Sequence, residues 1–293
     1  MQGNSGGVPI CNRTPASQRC SVYRSYEACR SAPEFPYPDG MEWQAPAIVL
    51  DARPHGESGA VVTLLTEAHG RHAGLAKGGA SRAQSAIWQP GNLVEARWVA
   101  RLAEQLGALT GEMVHPAAAL ALEDPLSLAL LASACAVAEG ALPERQPHPR
   151  TFHGLVALIA RLPQGREGLL PDYIRWEAEL LAELGYGLDL SRCALTGSME
   201  DLAWVSPRSG RAVSAEAGAP WASRLLPLPG FLLGQGGAAG PSGPAEWLAG
   251  LRLTGHFLGK DAFGHQHKPL PPARELLFDR VAALAGAEPV RAE

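Results

Sequence analysis

The chain has 293 residues, 46% of them apolar, enough to bury a core in one large or two modest domains. Lys and Arg number 25 against 29 Asp and Glu, a formal net charge of -4, which excludes a global basic field and confines any polyanion site to a local patch. No apolar run reaches the roughly 18 residues that span a bilayer, Leu126 to Ala138 being the longest candidate. Five Cys, with no paired spacing in the folded part, argue against a disulfide scaffold and for a reducing, cytoplasmic setting.

Residues 1–40 are rich in Gly, Ser, Pro and Arg and have no hydrophobic period. Cys11, Cys20 and Cys29 lack the close CxxC pair of a thiolate metal site. This stretch is expected to be a disordered leader or the product of a mis-set start, dispensable for folding, with the folded pattern beginning at Met41. Ala47 to Arg82 then reads as three short strands joined by Gly-containing turns at His55 to Gly59 and Glu67 to Gly70. A fourth strand, Leu93 to Val99, sets Leu93, Glu95 and Arg97 on one face and Val94, Ala96 and Trp98 on the other. A fifth runs from Ala108 to Val114. Five short strands in this span predict an OB-fold barrel.

From Pro116 the period becomes helical. Asp124 caps and Pro125 opens an almost wholly apolar helix, Leu126 to Glu139. Further helices are predicted at Thr151 to Leu162, Pro171 to Leu184 with Gly185 as the stop, Ala245 to Phe257 and Leu276 to Ala285. Between Leu188 and Pro244 lies an excursion too long for an ordinary loop. The fold class is therefore α+β, a small barrel followed by a helical domain.

The strand Ile48-Val49-Leu50 with Arg53-Pro54 and Glu57, then Thr66, His69-Gly70-Arg71 and Ala76-Lys77-Gly78, resembles the amino-terminal domain of the RecO family of DNA repair proteins. Leu184-Gly185-Tyr186-Gly187, and Lys268-Pro269-Leu270 with Arg274, resemble that family's helical domain. The resemblance implies an OB-fold at residues 41–117 and a helical domain at 118–187 and 245–287, interrupted by an insert at 188–244 that carries a four-cysteine zinc site in many relatives. Here Cys193 keeps the first ligand, Thr196 stands where the second belongs, and Ser214 to Gly218 contains no Cys. One thiolate cannot build a structural zinc site, so a metal-free, degenerate zinc-finger-like insert folded as a short hairpin is expected.

The same resemblance implies a recombination mediator and not an enzyme. Such a protein binds single- and double-stranded DNA, anneals complementary strands, engages RecR and the acidic C-terminal tail of the single-stranded-DNA-binding protein, and indirectly helps RecA load. Composition and spacing alone stop at a two-domain cytoplasmic protein with an OB-fold.

The DNA-binding candidates are Arg53, Arg71, Lys77, Arg82, Arg97 and Arg101, all on or just beyond barrel strands, with Arg71, Lys77 and Arg82 expected along one rim. Trp88 and Trp98 are the candidate stacking aromatics. Arg175, Arg252 and Arg274 are the candidate rim charges of an apolar groove for the acidic tail. Two other classes stay open: a metal-dependent hydrolase built on His256, Asp261, His265 and His267, and a protein adaptor whose barrel does not bind DNA. Gly234 to Gly237 reads as connection and not as a dinucleotide loop, and Gly255 to Asp261 is too short for a phosphate loop. Cys135, inside an apolar helix, reads as an inert core residue.

Overall fold

A computed structural model describes residues 41–102, 105–164, 168–233 and 242–286; the leader at 1–40 and the Gly234 to Gly237 segment lie outside them. Strand β1 (Met41–His55) is long enough to serve two neighbours. Residues 41–48 pair antiparallel with β4 (Leu93–Ala100), and residues 47–55 pair with β2 (Gly59–Thr66) across a bulge between Val49 and Asp51. A bulge bends its strand, and here the bend closes the sheet. With β3 (Gly70–Ala76) and β5 (Gly107–His115) the order is β1-β2-β3-β5-β4, a closed barrel. The first strand starts at Met41 and not at Ala47, because its mixed Met-Glu-Trp-Gln lead-in pairs residue by residue with Ala100 back to Arg97.

Ala47, Val49, Val62, Leu64, Val94, Ala96, Trp98 and Leu109 fill the barrel. Ile48, Leu50, Leu65 and Leu93 point the other way, into the core shared with the helices. Strands β1 and β2 are thus buried on both faces, which is why they read as continuous aliphatic runs. After β3, Ser81 caps a single turn, α1 (Arg82–Ser85).

Five helices pack beside the barrel after a short α2 (Ala117–Ala121). They are α3 (Pro125–Ala141), α4 (Pro149–Arg161), α5 (Leu169–Glu183), α7 (Pro244–Phe257) and α8 (Pro272–Leu284). The Asp124 carboxylate accepts from the Ser127 N–H at 3.0 Å, the cap that the sequence predicts for α3. Helix α3 is apolar nearly all round because it is the central helix, in contact with β1, α2 and α8. Its Leu131 packs so closely on Gly91 (φ +94°) that a Cβ there would lie 2.5 Å from the leucine. Helix α8 begins at Pro272, before the expected Leu276, because proline suits the first turn.

The insert forms β6 (Leu202–Val205), β7 (Ala212–Ser214), α6 (Ala215–Gly218) and β8 (Leu226–Pro227). The expected hairpin is β6 with β7. The two-residue β8, with no period to betray it, adds a third strand in the order β7-β6-β8.

Among the described residues, the ion pair of Arg274 and Glu177 is fully buried in the helical domain. Arg274 Nε donates to Glu177 Oε1 at 2.5 Å and its Nη2 to Glu177 Oε2 at 3.1 Å and to the Leu251 carbonyl at 2.8 Å. Tyr173 and Thr254 also donate their hydroxyls to Glu177, at 2.6 and 2.5 Å, and Ser133 lies 2.7 Å from the Tyr173 hydroxyl. Burial, then the Glu177 charge, holds the Tyr173 hydroxyl well above its ordinary pKa, so it remains a donor. Helices α3, α5, α7 and α8 meet in this network.

Arg274 is therefore not a rim charge of a partner groove. Its side chain is 2% exposed, and its length is spent reaching Glu177. Replacing Arg274 by Ala strands a buried carboxylate and is expected to cost about 3–5 kcal/mol in urea denaturation. The double variant Glu177→Gln, Arg274→Met should lose clearly less, because no uncompensated charge remains.

Candidate nucleic-acid interface

The six barrel cations fall into three kinds. Lys77, Arg82 and Arg101 are exposed and make no ion pair among the described residues; Lys77 and Arg82 follow β3, and Arg101 follows β4. Arg53 and Arg97 are solvated but paired. Arg53 Nε lies 2.6 Å from Asp51, its Nη2 lies 3.7 Å from Glu139, and Arg97 bonds Glu42 on the neighbouring strand.

Arg71 is of the third kind. Only 17% exposed, it donates from Nε to the Leu142 carbonyl at 2.8 Å and sits 3.6 Å from Glu144 and 3.9 Å from Glu139. The expected rim of Arg71, Lys77 and Arg82 is thereby corrected: Arg71 faces the helical domain and ties it to the barrel.

The reason lies in β3. It pairs with β5 only from Gly74 to Ala76, so its first half offers an unpaired edge. The connection between α3 and α4 covers that edge: Glu144 bridges Arg71 in parallel, and the Arg145 N–H donates to the Arg71 carbonyl at 2.8 Å. Gly70 (φ +63°) admits this segment because a Cβ there would lie 2.0 Å from the Gln146 carbonyl oxygen. Arg145 itself is left-handed at φ +60°, a conformation that costs a non-glycine residue energy. His153 on α4 reaches Glu67 at 3.1 Å beside the same seam.

Charge on the barrel's outer surface is uneven. Glu95 stands opposite Glu112, and Glu42 takes up the charge of Arg97. On this face, built from β1, β4 and β5, the Glu42–Arg97 pair is neutral and Glu95 with Glu112 adds acid, while Lys77, Arg82 and Arg101 stand without ion pairs beyond the strand ends.

The aromatic residues reach the surface at one mouth of the barrel. Trp43 on β1 stands opposite Trp98 on β4, with ring planes 10° apart and centroids 6.1 Å apart. His69, from the turn between β2 and β3, stacks on Trp43 at 4.8 Å and 15°. His72 meets Trp98 edge-on at 4.6 Å and Trp43 at 5.3 Å.

Of the two expected stacking residues, Trp98 is 1% exposed and Trp88 2% exposed, so neither offers a free face. Trp98 donates its indole N–H to the Ala73 carbonyl, and Trp88 packs against Gly111 inside the barrel. Burial, then the nearby Arg145 charge, pushes the His72 pKa down to about 4, so the ring is neutral at ordinary pH.

A concavity of about 280 Å³ lies between α4 and α5. Leu158, Gly154 and Trp176 supply apolar lining, with Arg150 and Arg175 among its charges. Arg150 pairs with Glu179 at 3.1 Å, and Arg175 pairs with Asp172 at 2.7 Å and donates to the Phe231 carbonyl. Arg252 lies elsewhere, exposed, 6.0 Å over the ring of Phe278 on α8.

The insert residues do not fit a zinc ion. Cys193 Sγ instead accepts from the Ser214 N–H at 3.3 Å and the Ser214 hydroxyl at 3.5 Å, so hydrogen bonds stand where further thiolates would be needed. The histidine cluster is dispersed as well. His256 bonds the Pro207 carbonyl, and His265 stacks on Tyr186 at 5.6 Å. Among the described residues no three His, Cys, Asp or Glu side chains converge as a metal site. The metal-hydrolase alternative loses its constellation. No helix of the described residues is long and apolar enough to cross a membrane.

Residues 41–117 match the family model described as recombination protein O N terminal, and residues 122–269 match recombination protein O C terminal. Over 248 residues the chain is 58% identical to the DNA repair protein RecO of Granulibacter bethesdensis, covering 85% of this chain and 98% of that protein. It is 55% identical over 248 residues to the DNA repair protein RecO of Gluconacetobacter diazotrophicus, with 83% and 96% covered, and 56% identical over 242 residues to that of Acidiphilium cryptum, with 82% and 96% covered.

Arg71→Ala removes the donor to a partly buried carbonyl and is expected to cost about 1–3 kcal/mol in urea denaturation. Lys77→Ala and Arg82→Ala should each stay within about 0.5 kcal/mol of the parent.

Proposed function

The chain belongs to the recombination protein O family, and from that premise we propose that it is a DNA repair and recombination mediator. It binds single- and double-stranded DNA through its barrel, anneals complementary strands and, with RecR, promotes RecA loading on single strands coated by their binding protein. The carrying observation is the barrel's distribution of charge: the unpaired Lys77, Arg82 and Arg101 lie beyond strand ends, while on the face between Glu42 is taken up by Arg97 and Glu95 and Glu112 add acid. Arg53 and Arg97 contribute less, since carboxylates already hold them, and Arg71 contributes to architecture. RecR and RecA enter through the family alone.

The groove between α4 and α5 suits the acidic, aromatic-ended tail of the single-stranded-DNA-binding protein. Trp176 and Leu158 offer an apolar floor, and Arg150 and Arg175 can exchange intramolecular carboxylates for those of a peptide.

Gel-shift and strand-annealing assays on the full chain test the DNA reading. If each cation neutralises about one phosphate, Lys77→Ala, Arg82→Ala and Arg101→Ala together should flatten the log-log salt dependence of single-strand binding by roughly two to three units. An unchanged slope would move the DNA away from these strand ends, and absence of binding and annealing would leave the adaptor reading. For the groove, Arg150→Ala with Arg175→Ala should weaken a labelled tail peptide by about tenfold at low salt. A parent protein that shows no saturable peptide binding would remove this partner.

A further inference from the structure

The ring cluster at the barrel mouth does more than a plug requires. Leu or Phe would seal the mouth without polar atoms, yet His72, 7% exposed, and the Trp43 indole bring buried ring nitrogens there that find no side-chain hydrogen-bond partner. Unpaired buried polar atoms are costly and uncommon. Neutral His72 carries one donor and one acceptor, and the Trp43 indole adds a donor; these nitrogens are buried, so they form a polar floor beneath the half-buried rings of Trp43 and His69.

Stacking surface and charge lie beside that set. Trp43 and His69, both half-buried, share near-parallel planes and continue the orientation of Trp98. Arg145 stands next to them. It is exposed, held at φ +60° by the Arg71 carbonyl, and reaches the Gln105 carbonyl between β4 and β5 at 3.4 Å. That contact with β3 sets the left-handed backbone and thereby fixes where the side chain leaves it. Glu144, its acidic neighbour, is taken up by Arg71. Arg101 follows the C-terminal end of β4, the strand that carries Trp98.

We propose that Trp43 and His69, with His72 beneath and Arg145 at the rim, form a base-stacking subsite for single-stranded DNA. The inference rests on the reading that the barrel binds single strands. A duplex has its base faces covered and cannot use the subsite; an unpaired base can lay its ring on His69, extending the stack through Trp43 to Trp98, while its flanking phosphate meets Arg145.

The test compares oligothymidylate of about 15 nucleotides, within the span of one such barrel, with a wholly abasic strand of the same phosphate count at one salt concentration, using the full chain. The parent should prefer the base-bearing strand by about fivefold or more, as aromatic stacking allows. Trp43→Leu with His69→Ala should bring the two strands within about twofold of each other, chiefly by weakening the thymidylate complex. Trp43→Phe with His69→Phe, which keeps two rings, should retain the preference. If thermal melting shows that Trp43→Leu disturbs the barrel, His69→Ala alone still reads the effect as a reduced preference. Equal binding of both strands by the parent, or an undiminished preference in the ring-less variant, overturns the subsite while leaving DNA binding standing. Binding of neither strand overturns the DNA reading and the subsite with it.

Discussion

Strand β3 meets β5 over only three residues, Gly74 to Ala76, so the barrel closes with one edge half paired. Exposed strand edges are liabilities, because unpaired N–H and C=O groups recruit other chains. Here the helical domain supplies the cover. Its α3–α4 connection lies along Gly70 and Arg71, one residue in parallel bridge and the next hydrogen-bonded to the strand. The requirement for glycine at position 70, the left-handed Arg145 and the inward turn of Arg71 all follow from that closure.

The same constraint joins the two parts of the molecule into one core. Ile48, Leu50, Leu65 and Leu93 leave the barrel to pack with the helices, and Cys135 on α3 approaches the Val49 carbonyl at 3.7 Å. Burial pushes that thiol up to about 12, so it behaves as a small apolar residue, as its place in an apolar helix predicts. Deeper in, Glu177 and Arg274 gather four helices at a point shielded from solvent. Pairing such groups holds them in one geometry more than it adds net stability, since the desolvation of both ions offsets most of their attraction.

What was legible in the sequence was whatever a local period or cap records. The alternation in Leu93 to Val99, the Asp124 cap and the Gly185 stop identify β4, α3 and the end of α5, because each needs only neighbours in the chain. Trp43 was missed because Met41 to Pro46 lacks an aliphatic run, its strand character coming from pairing with β4. Arg71 and Arg274 read as surface charges because their partners, Leu142 and Glu177, lie far away in sequence. No local pattern separates a solvated arginine from one that spans a seam. Arg145 escaped for a related reason: its backbone strain is set by a contact with β3.

The distribution of paired and unpaired charge then decides how a nearly neutral protein can meet a polyanion. With a net charge of -4, long-range attraction is weak, and within a Debye length of about 8 Å only local clusters count. Carboxylates neutralise Arg53 and Arg97 and place acid on the barrel face between the strand ends. In the proposed reading, a strand of DNA passing the ends of β3 and β4 meets unpaired cations, whereas the face between offers it Glu112 and an already neutralised Arg97. The aromatic rings of Trp43 and His69 cluster at the mouth where the β2–β3 turn meets the end of β4. Base stacking is nearly independent of salt, whereas phosphate pairing is not, so in the proposed reading the rings at the mouth act beside Arg101, which follows β4, while Lys77 and Arg82 stand beyond the other end of β3.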